Sequence, residues 1–198
     1  MKLFILLASL LVSFPAFGKF DRDTVVFVGS SSIELWKDLP ASFPGLKTKN
    51  LGVAATTYSY LVDHVDEWAD KYPARRFVVY SGDNDIAWGS SSERVAGLFR
   101  EFATRLRRKI PDVKIFVLSV KPNSNLLRRL RMGTVRKTNL QIEQEAARLG
   151  FATYVDIFSL MLDGRGRPRG ELFGFDGIHM NASGYEVWAR ALRPLLRK

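Results

Sequence analysis

Five short runs, at 24–29, 48–53, 76–81, 113–120 and 152–157, read as strands, most of them apolar on both parities. That pattern predicts parallel strands buried on both faces rather than a half-exposed antiparallel sheet. Between the runs the period changes. Tyr58, Leu61, Val62, Val65, Trp68, Ala69 and Tyr72 recur at intervals of three and four, as do Val95, Leu98, Phe99, Phe102 and Leu106, the spacing of amphipathic helices. The second of these helices opens with Ser90-Ser91-Ser92-Glu93, a start signal. A third helix is expected from about 133 to 149 and a fourth over 182–196. Strands alternating with helices predict an α/β protein, a three-layer α/β/α sandwich on a five-stranded parallel sheet. Ligands of such sheets bind beyond the carboxyl ends of the strands, where the strand order reverses.

The chain has 198 residues, 46% of them hydrophobic, enough for one well-packed core and short for two. Residues 1–18 read differently from the rest. Lys2 precedes an apolar run, and Pro15-Ala16-Phe17-Gly18 places small residues at the −3 and −1 positions of a cut after Gly18, the anatomy of a secretory signal. The expectation is an exported protein, periplasmic or secreted, with a single domain over 19–198. No later segment is long and uncharged enough for a transmembrane anchor. Cysteine is absent, which excludes a disulfide framework, a thiol nucleophile and lipid attachment through an N-terminal cysteine. The net charge of +10 suits electrostatic association with anionic envelope polymers. The basic residues are spread over several elements and no nucleic-acid-binding module is recognisable among them, so specific nucleic-acid binding is not expected.

Candidate chemistry begins at Phe27-Val28-Gly29-Ser30-Ser31-Ser32-Ile33-Glu34, where a strand gives way to a helix. Ser31 and Glu34 have the spacing of a capping box. The same serine at a strand-to-helix turn can be a nucleophile, with helix amides at hand to stabilise negative charge. The second strand ends at Asn50-Leu51-Gly52 and the third at Ser81-Gly82-Asp83-Asn84-Asp85; in a parallel sheet all three ends share one edge. A serine, a glycine amide and an asparagine amide converging there are parts of an acyl-transfer site. The chain has two histidines. His179 stands three residues after Asp176, just before the last helix, so that Asp176 can hold one ring nitrogen and leave the other for a serine. His64 sits in the apolar period of its helix and reads as structural. Two distant histidines and no cysteine make a zinc site improbable.

These blocks resemble, in order, those of the SGNH or GDSL-type hydrolases: Gly29-Ser30-Ser31, Gly52, Gly82-Asp83-Asn84-Asp85 and Asp176-x-x-His179. Flanking residues (Ser32-Ile33, Trp36, Lys121-Pro122, Asn181, Gly184-Tyr185) are similar to the bacterial subgroup resembling platelet-activating-factor acetylhydrolase subunits. The resemblance implies a flavodoxin-like fold and a cofactor-free serine esterase. It implies Ser31 as nucleophile, Asp176 and His179 as its catalytic partners, and an oxyanion hole made by the amides of Ser31 and Gly52 and the side chain of Asn84. Two departures stand out. Ser30 replaces the aspartate of Gly-Asp-Ser, and Ala54-Ala55 stands where related sequences often carry glycines.

The implied substrate is a small-molecule, polysaccharide or lipid ester, with a short-chain or O-acetyl group. A lysophospholipase or thioesterase on the same fold is the alternative, and a non-catalytic binder of envelope polysaccharide is a rival of another class that has no need of Ser31, Asn84, Asp176 and His179 together. Tyr58, Trp36 and Trp88 lie near the site, where core packing is the ordinary role of an aromatic and sugar stacking the special one. The Arg- and Leu-rich stretch 123–132 and the basic stretch 164–170 read as solvated loops.

Overall fold

The computed structural model describes residues 21–197; the signal expected at 1–18 lies outside them. Five strands, β1 (Asp21–Gly29), β2 (Lys47–Gly52), β3 (Ala74–Tyr80), β4 (Lys114–Leu118) and β5 (Ala152–Val155), pair in parallel in the order β2-β1-β3-β4-β5. This is the flavodoxin-like order, with its switch point between β1 and β3. Eight α-helical segments connect and cover the described strands: α1 (Ser31–Glu34), α2 (Leu39–Ser42), α3 (Tyr58–Lys71), α4 (Asp83–Ala87), α5 (Ser92–Lys109), α6 (Leu126–Arg129), α7 (Met132–Leu149) and α8 (Ala182–Leu196).

Alternation along the central strands divides the core in two. Val26, Val28, Phe77, Val79, Ile115 and Val117 join one cluster with α3, α5 and α7. Val25, Phe27, Val78, Tyr80, Phe116 and Leu118 join the other with Trp36, Phe43 and α8. Both faces of β1, β3 and β4 are therefore dry, which explains their unbroken apolar spelling. The edges differ from expectation. β2 presents Lys47 and Lys49 to solvent and β5 exposes Thr153, because each has a neighbour on one side only and charged side chains blunt an open edge.

The long helices match the periodic segments to within a few residues. The short ones, α1, α2, α4 and α6, complete too few turns for a hydrophobic period to show. Parallel register sets Gly29 opposite both Gly52 and Tyr80, so β1, β2 and β3 end level. The loops leaving those ends carry the candidate site.

Candidate active site

Ser31 is the first residue of α1, and its neighbour Ser30, at the N-cap, makes no side-chain capping bond. The expected capping box does not form. The Ser31 hydroxyl instead lies 3.0 Å from Nε2 of His179, across 148 positions of sequence. Gly29 makes this turn practicable: with φ of 156°, a Cβ there would sit 2.0 Å from the Tyr80 carbonyl oxygen.

His179 is held from behind. Its Nδ1 lies 2.6 Å from Oδ2 of Asp176, while Oδ1 of Asp176 accepts the backbone N–H groups of Ile178 and His179, each at 2.9 Å. Burial alone would raise the Asp176 carboxyl. The two N–H groups and the imidazole more than offset it and hold the group below the usual carboxylate range. An ionised Asp176 fixes the ring with Nδ1 as donor, so that Nε2 is the nitrogen presented to Ser31.

Asn84 reaches the same edge from α4 and donates one Nδ2 hydrogen to the Thr56 carbonyl at 3.0 Å; its other amide hydrogen remains for a ligand. The N–H of Ser31 has no hydrogen-bond partner among the described residues. Gly52 departs from its expected part. Its N–H donates to Oδ1 of Asn50 at 2.9 Å, and the Asn50 amide donates to the Ile33 carbonyl at 2.7 Å. A Cβ on Gly52 would lie 2.2 Å from the backbone nitrogen of Glu34, so this glycine lets β2 close against α1. In the same loop the N–H groups of Ala54 and Ala55, both exposed, have no partner among the described residues; Ala55 is set apart by its backbone. At φ of 56° it is the one non-glycine with positive φ among them, in the conformation a glycine adopts at little cost.

A second layer keeps α4 and this loop in place. Asp85 accepts the Tyr58 N–H on both carboxylate oxygens, at 3.2 Å each, so α4 grips the loop through Thr56 and Tyr58 together. Burial pushes the Asp85 carboxyl up to about 6. Beside it, Nζ of Lys121 lies 2.8 Å from Oδ2 of Asp83, both side chains buried. Burial raises the Asp83 carboxyl, but the Lys121 ammonium and then Arg128 reverse the shift and lower it. Such a buried pair contributes positioning more than net stability. The roles of Asp85 and Lys121 escaped the sequence reading. The signals were an acid on either side of Asn84 and a lysine ending the apolar run at Val120.

Among the aromatics, Trp36 and Tyr58 are core residues and Trp88 is 62% exposed. His64 bonds the Tyr60 carbonyl through Nδ1 at 2.9 Å and stacks on the Tyr60 ring, a structural histidine as expected.

Residues 27–187 match the model of the GDSL-like lipase/acylhydrolase family. The chain belongs to that family. It is a serine hydrolase of the SGNH type. Solved structures similar to it include a GDSL-like lipase from Bacteroides thetaiotaomicron, with TM-score 0.73, 19% identity, and 88% of each chain covered. A family 3 carbohydrate esterase of Clostridium thermocellum superposes with TM-score 0.70 at 15% identity, covering 89% of this chain and 98% of that one. A catalytic mutant of an acetylxylan esterase from Geobacillus stearothermophilus does so with TM-score 0.69 at 14% identity, covering 89% and 95%. No curated protein is similar in sequence at a significant level. Identities this low establish the shared fold.

Proposed function

We propose that this hydrolase is an exported esterase that cleaves short-chain or O-acetyl esters through Ser31, His179 and Asp176. The observation that carries the reading is the unbroken chain from the Ser31 hydroxyl through both nitrogens of His179 to Asp176, set at the carboxyl edge of the sheet beside Asn84.

Ser31 Oγ attacks the ester carbonyl carbon as its proton passes to Nε2 of His179, and the carbonyl becomes a tetrahedral oxyanion. The N–H of Ser31 and the side-chain amide of Asn84 donate to that oxygen. A backbone N–H of the Ala54-Ala55 pair takes the part expected of Gly52, since Asn50 already engages the Gly52 N–H while both alanine N–H groups are free. Collapse expels the alcohol, which takes the proton from His179 and leaves an acyl group on Ser31. Water then attacks the acyl-enzyme while His179 takes its proton; the second collapse returns the proton to Ser31 and releases the carboxylic acid. Asp176 stays ionised throughout and stabilises the imidazolium.

The acetyl preference draws support from the carbohydrate esterase and acetylxylan esterase that share the fold. Export draws support from residues 1–18; no helix among the described residues is long and apolar enough to cross a membrane. The test is hydrolysis of acyl esters from acetyl to octanoyl, and of acetylated xylan, with and without a serine-directed covalent inhibitor. The expected result is inhibitor-sensitive turnover that is fastest on acetyl esters, with the label on Ser31. Absence of turnover on the whole panel, or labelling elsewhere, overturns the reading.

A further inference from the structure

The segment after β4, expected to be a solvated loop, is tied down on two sides. Ser124 and Asn125 donate their backbone N–H groups to the Gly177 carbonyl at 2.9 and 3.0 Å, and the Asn125 side chain donates to the Asp176 carbonyl at 3.1 Å. On the other side Arg128 donates to the Asp83 carbonyl and Arg131 to the Ile86 carbonyl. The segment thus bridges the loop of Asp176 and His179 to the helix of Asn84, along the rim of the site.

Its outward face is apolar. Leu126, Leu127 and Leu130 are 73%, 75% and 81% exposed. At about 100° per residue the three leucines fall within about 100° of arc. On the same wheel Arg128 points back toward the protein, and Arg129 and Arg131 flank the two edges of the leucine arc. Fully exposed Phe175, beside Asp176, and Trp88, at the end of α4, add apolar surface on the two segments that this bridge joins. Five of the nine large apolar side chains exposed among the described residues are here, so the apolar surface is concentrated rather than scattered.

The charge around it has one sign in excess. Arg129 shares a surface depression with Asp163, Arg167, Arg169 and Glu171. Asp163 pairs with Arg167 and Glu171 with Arg169, which leaves Arg129 with no ion pair or side-chain hydrogen bond among the described residues; the side chain of Arg165, in the turn closed by Asp163 and Arg167 beside that depression, has none either. Exposed leucines between arginines, on a chain of net charge +10, have the complementarity of a surface that is anionic outside and apolar beneath. We propose that the face formed by Leu126, Leu127, Leu130 and Phe175, with Arg129 and Arg165, docks the enzyme on a bilayer containing anionic phospholipid, with the mouth of the active site at the membrane surface.

Binding is read without turnover, so this proposal and the esterase reading fail separately. The chain beginning at Lys19, which holds every element of the fold described above, is co-sedimented with vesicles of phosphatidylcholine alone and of phosphatidylcholine with an equal part of phosphatidylglycerol. The expected result is binding to the anionic vesicles that weakens with salt and is at least tenfold weaker on neutral ones. Leu126→Ser with Leu127→Ser and Leu130→Ser should lower it about tenfold or more, and Arg129→Gln with Arg165→Gln several-fold. Hydrolysis of a soluble ester such as p-nitrophenyl acetate should stay unchanged in both variants, which controls for folding. Equal binding by wild type and the leucine variant overturns the proposal, as does equal binding to both kinds of vesicle. A wild-type dimer that the leucine variant dissociates, seen by light scattering, would also overturn it by making this face a contact between two copies.

Discussion

Two turns of this chain are spelled almost alike: Gly29-Ser30-Ser31-Ser32, followed one residue later by Glu34, and Gly89-Ser90-Ser91-Ser92, followed at once by Glu93. At the second, Ser91 is an N-cap whose hydroxyl accepts the Arg94 N–H at 3.2 Å, and Ser92 bonds Thr138 of α7 at 3.0 Å. At the first, no serine caps, and Ser31 faces His179. The difference lies in what the fold sets opposite each turn. Ser91 begins a helix of 18 residues on the flank of the sheet, whereas Ser31 follows the interior strand β1 at the edge where three loops meet. A third helix start completes the comparison, because Thr57 caps α3 with no side-chain bond and Asp85 of α4 takes the Tyr58 N–H instead. Serine before a helix is therefore a local signal of structure and becomes chemistry only where a base is delivered to it.

The largest expected effect would break the comparison at its root. Ser31→Ala should lower kcat/KM on the order of 10⁴-fold or more with the fold intact by circular dichroism, while Ser91→Ala leaves kcat/KM unchanged. Equal activity of the two variants would return Ser31 to the capping role. His179→Gln should match the loss at Ser31, and His64→Gln should keep most of the activity, since His64 serves Tyr60 and its helix. Steady-state rates on one acetyl ester measure all four.

Asn84→Ala should cost about 10²-fold in kcat with a smaller change in KM, the scale for one oxyanion donor. A rise in KM at constant kcat would make Asn84 a substrate-binding residue instead.

Asp85 sharpens the comparison through pH. Its folded-state carboxyl, at about 6, lies above the ordinary value of about 3.9, so the native state binds this proton more tightly than the unfolded chain does. The stability linked to it is fully present below about 4, is lost as the pH rises to about 6, and is flat above that. Asp85→Asn removes this dependence and keeps an acceptor for the Tyr58 N–H. Denaturant unfolding of both proteins should show the variant gaining on wild type by up to about 3 kcal/mol between pH 4 and 7. A gap that moves the other way would show that the charge on Asp85 stabilises the start of α3.

The smallest effect belongs to the ordinary cap. Ser91→Ala should destabilise by about 1 kcal/mol, a fall of about 2–4 °C in Tm for a chain of this size. Ser31→Ala should show no comparable loss, because Ser31 makes no capping bond.

The sequence by itself determined the succession of strands and long helices along the chain and the dry central sheet, and it offered residues of the types that acyl-transfer chemistry needs. Period, turn residues and the spacing from Asp176 to His179 act between neighbours a few positions apart, and such signals survive in a linear reading. Tertiary structure decided what depends on distant partners. It brought Ser31 within 3.0 Å of His179, gave the Gly52 N–H to Asn50, turned Ala55 into the conformation expected of a glycine, and paired Lys121 with Asp83. It also laid the leucines of α6 along the rim of the site. Each of these outcomes rests on which chain segments the parallel register brings level at one edge of the sheet. A hydrogen bond or a close backbone approach between residues tens of positions apart leaves no period in the sequence; only the packed fold supplies the partner.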